Sequence, residues 1–263
     1  MPGQGETDMR ILITNDDGIH SPGLDVCAEI ARAFSDDIWI VAPETDQSGV
    51  SHSLSLNDPL RLRQVEERRF AVKGTPTDSI VMGVRHILNG KGPDLVLSGV
   101  NRGRNVAEDV TYSGTIAGAI EGTILGIPSF ALSLSFSATT RQKPYWETAV
   151  RFGPEVIRKV LAAGIPRGVL INVNFPDCAP AEVRGVASCT QGHRGQAALL
   201  KVEARHDGRG NPYYWIAYDR RERPAPSLGT DLSALGDNHV SVTPLRLDIT
   251  DELFLTKLAD ILA

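Results

Sequence analysis

The sequence predicts an α/β protein: a doubly wound, mostly parallel sheet followed by a smaller antiparallel region that contains a hairpin. Three observations carry this. From Ile11 to about Pro176, short apolar runs alternate with stretches of helical periodicity, the pattern of strands buried on both faces beneath crossover helices. After Pro176 the pattern changes to extended segments around a Gly/Asn-rich turn, as in an antiparallel hairpin. With 263 residues the chain can also bury a substantial core.

The elements follow in order. "ILIT" (11 to 14) is an apolar strand, and Ser21 and Pro22 supply a cap and first position for a helix in which Leu24, Cys27, Ile30, Ala31 and Phe34 recur at helical spacing. "IWIVAP" (38 to 43) and "RFAVKG" read as strands, and "DSIVMGVRHIL" reads as a helix. "DLVLSGV" (94 to 100) is the next strand, "SGTIAGAIEGTILG" a helix rich in small residues, and "SFALSL" another strand. "YWETAVRFGPEVIRKVLAAG" is helical on both sides of Pro154, and "VLINVNF" closes the alternation. Beyond it, "KVEARHDGRGNPYYWIAYD" is the hairpin, "GTDLSALGDNHVSVTPL" a short helix and strand, and "DELFLTKLADILA" a terminal helix. The expected division is a polar, loose extension over 1–8, the α/β domain over 9–176, and a hairpin and C-terminal region over 177–263. This last region suits oligomer contacts: "NPYYWIAY" sets four aromatic residues in a hairpin, and Leu253, Leu255, Leu258 and Ile261 give the final helix an apolar set.

Composition removes several classes. A balance of 27 basic to 32 acidic residues, net −5, leaves no footprint for nucleic-acid duplex binding. Cys27, Cys178 and Cys189 are widely separated and form no C-x-x-C pair, so neither a disulfide framework nor a cysteine zinc site is expected. There is no apolar run long enough for a membrane span, and "MPGQGETD" lacks the charged-then-apolar order of a signal peptide. A cytoplasmic protein is the expectation. The nucleotide triphosphate loop, the dinucleotide G-x-G-x-x-G and the G-x-S-x-G nucleophile elbow are all missing.

In open α/β sheets, ligands bind beyond the carboxyl ends of the strands, near a switch in strand order. Those ends carry Asn15, Asp16 and Asp17 after the first strand, Gln47 and Ser48 after the second, and Ser98 and Asn101 after "DLVL". Adjacent carboxylates about 4 Å apart repel by roughly 1 kcal/mol in water and about 4 kcal/mol near a protein surface. Either they serve turn chemistry around Gly18 or they share a divalent cation; carboxylate, amide and hydroxyl oxygens suit Mg²⁺ or Mn²⁺. Ser113, Gly114 and Thr115 stand where a loop enters a helix, so their N–H groups face outward with the helix dipole behind them, and Asn105 adds an amide donor. The same residues also satisfy a plain helix cap with close packing on the sheet.

Together, "ILITNDDGIHSPG", "VAPETDQSGVSHSLSL", "GTPTDS", "PDLVLSGVNRGRN", "YSGTIAGAIEG", "INVNFP" and "VSVTPL" resemble the SurE family of stationary-phase survival proteins, in order from about Met9 to Leu245. The resemblance implies a Rossmann-like domain with a smaller oligomerisation region. It implies a divalent-metal phosphomonoesterase, with one Mg²⁺ or Mn²⁺ per subunit, acting on nucleoside 5′- and 3′-monophosphates; some members also shorten polyphosphate. Carried over, the metal ligands fall on Asp16, Asp17, Ser48 and Asn101, and the phosphate contacts on Asn105, Ser113, Gly114 and Thr115. Asp16 and Asp17 then also serve catalysis, whether by activating water or by direct attack. Homodimers or homotetramers with an exchanged C-terminal segment are implied as well. Thr77, Ser79, Ile116 and Gly118 depart from the family's more usual "GTPADC" and "YSGTVAAA" without touching a proposed ligand. The competing class is a regulator that binds metal and nucleotide without turnover.

Overall fold

The first strand, β1 (Ile11–Thr14), is apolar over Ile11 to Ile13, ends on Thr14 and is wholly buried. Ile11 and Ile13 pack on one face of the sheet and Leu12 on the other, as the two-residue period of a strand requires. The computed structural model describes residues 9–194, 200–218 and 225–263; the extension expected over 1–8 lies outside them. After β1 come α1 (Pro22–Ala31), β2 (Ile38–Pro43), β3 (Leu62–Glu66), β4 (Arg69–Val72), α2 (Pro76–Met82) and β5 (Leu95–Arg102). Then follow α3 (Gly114–Ile124), β6 (Ser129–Leu134), α4 (Trp146–Ala163), β7 (Val169–Phe175) and β8 (Gly185–Ser188). The chain closes with β9 (Leu200–His206), β10 (Pro212–Tyr218), α5 (Asp231–Gly236), β11 (His239–Arg246) and α6 (Glu252–Leu262).

Nine strands form one mixed sheet in the order β3-β4-β2-β1-β5-β6-β7-β11-β8. The run from β4 to β7 is parallel, while β3 and β11 pair antiparallel with β4 and β7. From β1 the chain goes to β2 on one side and later to β5 on the other, with Thr14 beside Ser98 at the last paired position. The reversal of strand order therefore falls between β1 and β5, and the loops that follow them flank the crevice where such sheets bind ligands. One core cluster joins the sheet to α1 and α4 through Leu24, Ile30, Val156 and Ile157; another joins the opposite face to α2 through Ile80. The expected doubly wound α/β architecture is present.

Two details sharpen the sequence reading. Helix α4 runs unbroken through Pro154; an interior proline costs a helix about 3 kcal/mol, against which stands the burial of Ala149, Gly153, Val156 and Ile157 along one face. The expected boundary at 176 also does not coincide with the edge of the main sheet. β11 pairs with β7 from Ser241 opposite Asn174 to Arg246 opposite Val169, and β8 pairs with β11. Strand β11 buries Val240 completely and packs Val242 against the same cluster, so these alternate residues complete the common core. Among the described residues β9 and β10 form a separate sheet, a hairpin whose turn is held by the Asp207 carboxylate accepting from the N–H groups of Arg209 and Asn211.

Candidate functional site

Four segments meet at the carboxyl edge between β1 and β5. Asp16, only 4% exposed, follows β1 and accepts a 2.7 Å hydrogen bond from the Thr115 hydroxyl at the start of α3. Its backbone carbonyl accepts from the Gln47 N–H at 2.8 Å, which docks the loop after β2. Asp17 accepts from the Arg102 N–H at 3.1 Å, at the end of β5. Ser48 and Asn101 each neighbour one of these contacts in sequence. Among the described residues neither side chain bonds to a carboxylate: Asn101 donates its amide to the Gly103 carbonyl at 2.9 Å, and Ser48 is exposed, its N–H on Asp46.

On the phosphate side, Ser113 caps α3, its hydroxyl accepting from the Ile116 N–H at 3.1 Å. The N–H groups of Gly114 and Thr115 have no partner among the described residues, so two donors stand open at a helix start. Gly114 is required by proximity: a Cβ there would lie 2.7 Å from the Asp16 Cβ and 3.1 Å from Oδ2. The small residues of α3 continue this close approach, since a Cβ on Gly118 would come within 2.7 Å of Ser98 Oγ and Thr14 Cγ2. The capping and close-packing reading of this helix is met, and the two open N–H groups are what an anion would use.

Asn105 is buried and donates to Ser133 Oγ at 2.8 Å and to Thr115 Oγ1 at 3.3 Å. Its backbone is held on both sides: its N–H donates to Asn174 Oδ1, and its carbonyl accepts from the amides of Asn172 and Asn174. These two asparagines escaped the residue-level reading. Their signal was there, as two amides spaced by two in an apolar strand, on one face and fully buried. Asp78 escaped it too; with Thr75 it forms a capping box on α2 and accepts from the Ser55 N–H and hydroxyl, fixing the chain beyond Ser48.

The electrostatics favour a cation. Burial pushes the Asp16 carboxyl up to about 7; the Thr115 hydroxyl opposes the rise, while Asp17 and Asp46 add to it. Asp17 is likewise raised, chiefly by burial, against the Arg102 N–H and with Asp46 adding to the rise. Oδ2 of Asp16 and Oδ1 of Asp17 have no hydrogen-bond donor among the described residues, and the buried Asn15 Oδ1 is also without one. Two neighbouring carboxyls, both raised by burial and with Asp46 adding to the rise, are costly to ionise together unless a cation pairs with them. An all-oxygen donor set of carboxylate, amide and hydroxyl fits Mg²⁺ or Mn²⁺; no group of three or more His, Cys, Asp or Glu that could hold a metal ion occurs among the described residues. A cleft of about 390 Å³ opens beside Asp17, with Arg102 and Trp146 in its walls.

Comparison with known proteins gives a consistent answer. The family model described as "Survival protein SurE" matches residues 11–198. The "5'-nucleotidase SurE" of Bradyrhizobium sp. ORS 278 is 68% identical over 256 residues, covering 97% of this chain and 100% of that protein. The protein of the same name from Rhodopseudomonas palustris BisB5 is 66% identical over 252 residues, covering 95% of this chain and 98% of its own length. The crystal structure of the SurE protein from Aquifex aeolicus superposes with a TM-score of 0.81 at 38% identity, covering 97% of this chain and 100% of that one.

Proposed function

Because the chain belongs to the SurE family, we propose that it is a metal-dependent 5′-nucleotidase that hydrolyses nucleoside monophosphates to nucleoside and phosphate at the edge between β1 and β5. The observation that carries the site assignment is the 2.7 Å bond from Thr115 to Asp16. It joins the open N–H groups of α3 to the paired carboxylates, so a phosphoryl group and a cation fall within one crevice. Asp16, Asp17, Ser48 and Asn101 would hold the ion. A divalent ion bound there supplies polarisation of the phosphoryl oxygens, neutralisation of developing charge and a lowered pKa for coordinated water.

The protein's own groups do the rest. The Gly114 and Thr115 N–H groups, with the dipole of α3 behind them, receive the phosphate oxygens, and they are already in place before charge develops. The Ser113 hydroxyl, whose own proton has no acceptor among the described residues, orients the same group; Thr115 meets it through its N–H while its hydroxyl stays on Asp16, and the Asn105 amide turns to it from its long bond to Thr115. Asp16 or Asp17 orients an attacking water and takes its proton, or attacks the phosphorus directly. The cradle addresses a terminal phosphoryl group rather than a base, so the reading extends to 3′-monophosphates and to the end of a polyphosphate chain. A regulator without turnover is not favoured. Phosphate release from a panel of nucleoside monophosphates should be abolished by EDTA and restored by Mg²⁺ or Mn²⁺; release that is indifferent to EDTA would end the metal assignment.

The same reading includes a cytoplasmic homodimer or homotetramer. Cys27, Cys178 and Cys189 are buried and free, and no helix among the described residues is long and apolar enough to cross a membrane. Helix α6 leaves most of its apolar side chains uncovered among the described residues: Leu253 is 88%, Leu255 55% and Ile261 65% exposed, and Tyr214, Trp215 and Ile216 of the hairpin are also more than half exposed. Apolar surface on this scale marks a contact face. Removing residues 249–263 should lower the assembled fraction in light scattering, and a full-length protein that stays monomeric at all working concentrations would refute the assembly.

A further inference from the structure

The loop between Asn101 and Ser113 joins the two halves of the site, yet its shape is imposed from the far end of the chain. Arg194, 9% exposed, pairs with Asp109 at 2.6 Å and donates to the Val106 carbonyl at 3.2 Å. Its N–H lies 3.0 and 3.1 Å from the two oxygens of Glu108. Gln191 donates its amide to the Ala107 carbonyl at 2.9 Å. Asp231, fully buried, accepts from the Ala107 N–H at 2.9 Å through one oxygen and from the Gly192 N–H at 2.9 Å through the other. Ala107 itself is a non-glycine residue at φ +53, a conformation that persists only where its surroundings hold it.

We propose that Arg194, with Gln191 and Asp231, is a positioning clamp for phosphate binding: it holds residues 106–109 so that Asn105 on one side and Ser113 to Thr115 on the other present their donors to the same phosphoryl group. The groups it engages on Val106, Ala107, Glu108 and Asp109 all lie between those two donor sets. No clamp residue contacts Asp16 or Asp17, which are held instead by Thr115, Gln47 and Arg102. One guanidinium nitrogen, Nη1, serves both Asp109 and Val106, and it lies one bond farther along the side chain than a lysine ammonium reaches. The inference rests on the assignment of Asn105 and the α3 start to phosphate.

The test separates phosphate from metal. Full-length variants are titrated with inorganic orthophosphate at saturating Mg²⁺, and separately with Mn²⁺, following thermal stabilisation. Arg194→Ala should weaken orthophosphate about tenfold or more, as expected when binding groups are displaced by a fraction of an ångström, with Mn²⁺ affinity unchanged. Asp109→Ala should match it, and the double variant should be no worse than either, because the two act as a unit. Arg194→Lys should recover only part of the loss. Gln191→Ala removes one bond alone and should shift orthophosphate affinity in the same direction by less, which keeps the test open if Arg194→Ala does not fold. Unchanged orthophosphate affinity in folded Gln191→Ala and Arg194→Lys, or parallel losses of phosphate and Mn²⁺, would overturn the clamp. Wild-type protein that binds orthophosphate but releases none from any nucleotide would instead overturn the nucleotidase assignment and leave the clamp standing.

Discussion

Asp16→Asn should lower metal-stimulated phosphate release from nucleoside monophosphates by about 100-fold or more, the scale of losing one preorganised charged group at a reacting centre, while the fold survives. Asparagine keeps the size of the side chain and an oxygen that accepts from the Thr115 hydroxyl, so the 2.7 Å tie to α3 can persist. What is lost is the negative charge toward the cation and the nucleophile. The pH dependence of stability tests the same group independently. Burial lifts the Asp16 carboxyl from the ordinary 3.8 to about 7, so between these values the metal-free native protein holds a proton that the unfolded chain has released. A native state that binds more protons loses stability as pH rises. The melting temperature of the metal-free protein should therefore carry a component that declines through about pH 7. A divalent ion requires the carboxylate and competes with that proton, so Mn²⁺ should restore stability most at the alkaline end. Asp16→Asn should flatten both effects. Full activity in the variant, or a melting profile that keeps the wild-type slope, would contradict the assignment.

Gly114→Ala should be nearly as damaging to activity and should also cost stability. A Cβ at this position would lie 2.7 Å from the Asp16 Cβ, 3.1 Å from its Oδ2 and 3.2 Å from Pro76 Cγ. None of these is the free end of a flexible side chain: Asp16 is anchored by Thr115 and Gln47, and Pro76 is the first residue of α2. Either α3 moves away from β1 or Asp16 turns out of place, and both separate the phosphate donors from the carboxylates. Overpacking of this kind costs about 1–3 kcal/mol. The expected result is a lowered melting temperature together with a large fall in kcat/KM. A Gly126→Ala control, where a Cβ would meet nothing, has φ +81 and so tests backbone strain apart from crowding. An active, fully stable Gly114→Ala protein would show that α3 does not approach Asp16 as described.

Much of this was legible before any coordinates. β1, β2, β6 and β7 are runs of apolar residues bounded by turn residues, and α3 begins at the Ser113 cap as its local chemistry requires. Such features depend on residues within one turn or one strand, so periodicity and capping report them directly. Asp16, Asp17, Ser48, Asn101, Asn105 and Ser113 to Thr115 could be gathered for a related reason: a parallel sheet sends the ends of its strands to one edge. The relation between these residues was not legible. That Thr115 binds Asp16, that Gly114 must be bare, and that Asn172 and Asn174 grip the backbone of Asn105 depend on which strands are neighbours. Nor did the compositional change near Pro176 reveal that β11 returns to pair with β7, or that Arg194 and Asp231 reach back to the loop at Ala107. Elements and their chemistry follow from short-range pattern. Contacts across 84 to 124 positions, such as Arg102 to Asp17, Arg194 to Val106 and Ala107 to Asp231, leave no local trace, because burial and pairing are settled only when the whole sheet closes its core.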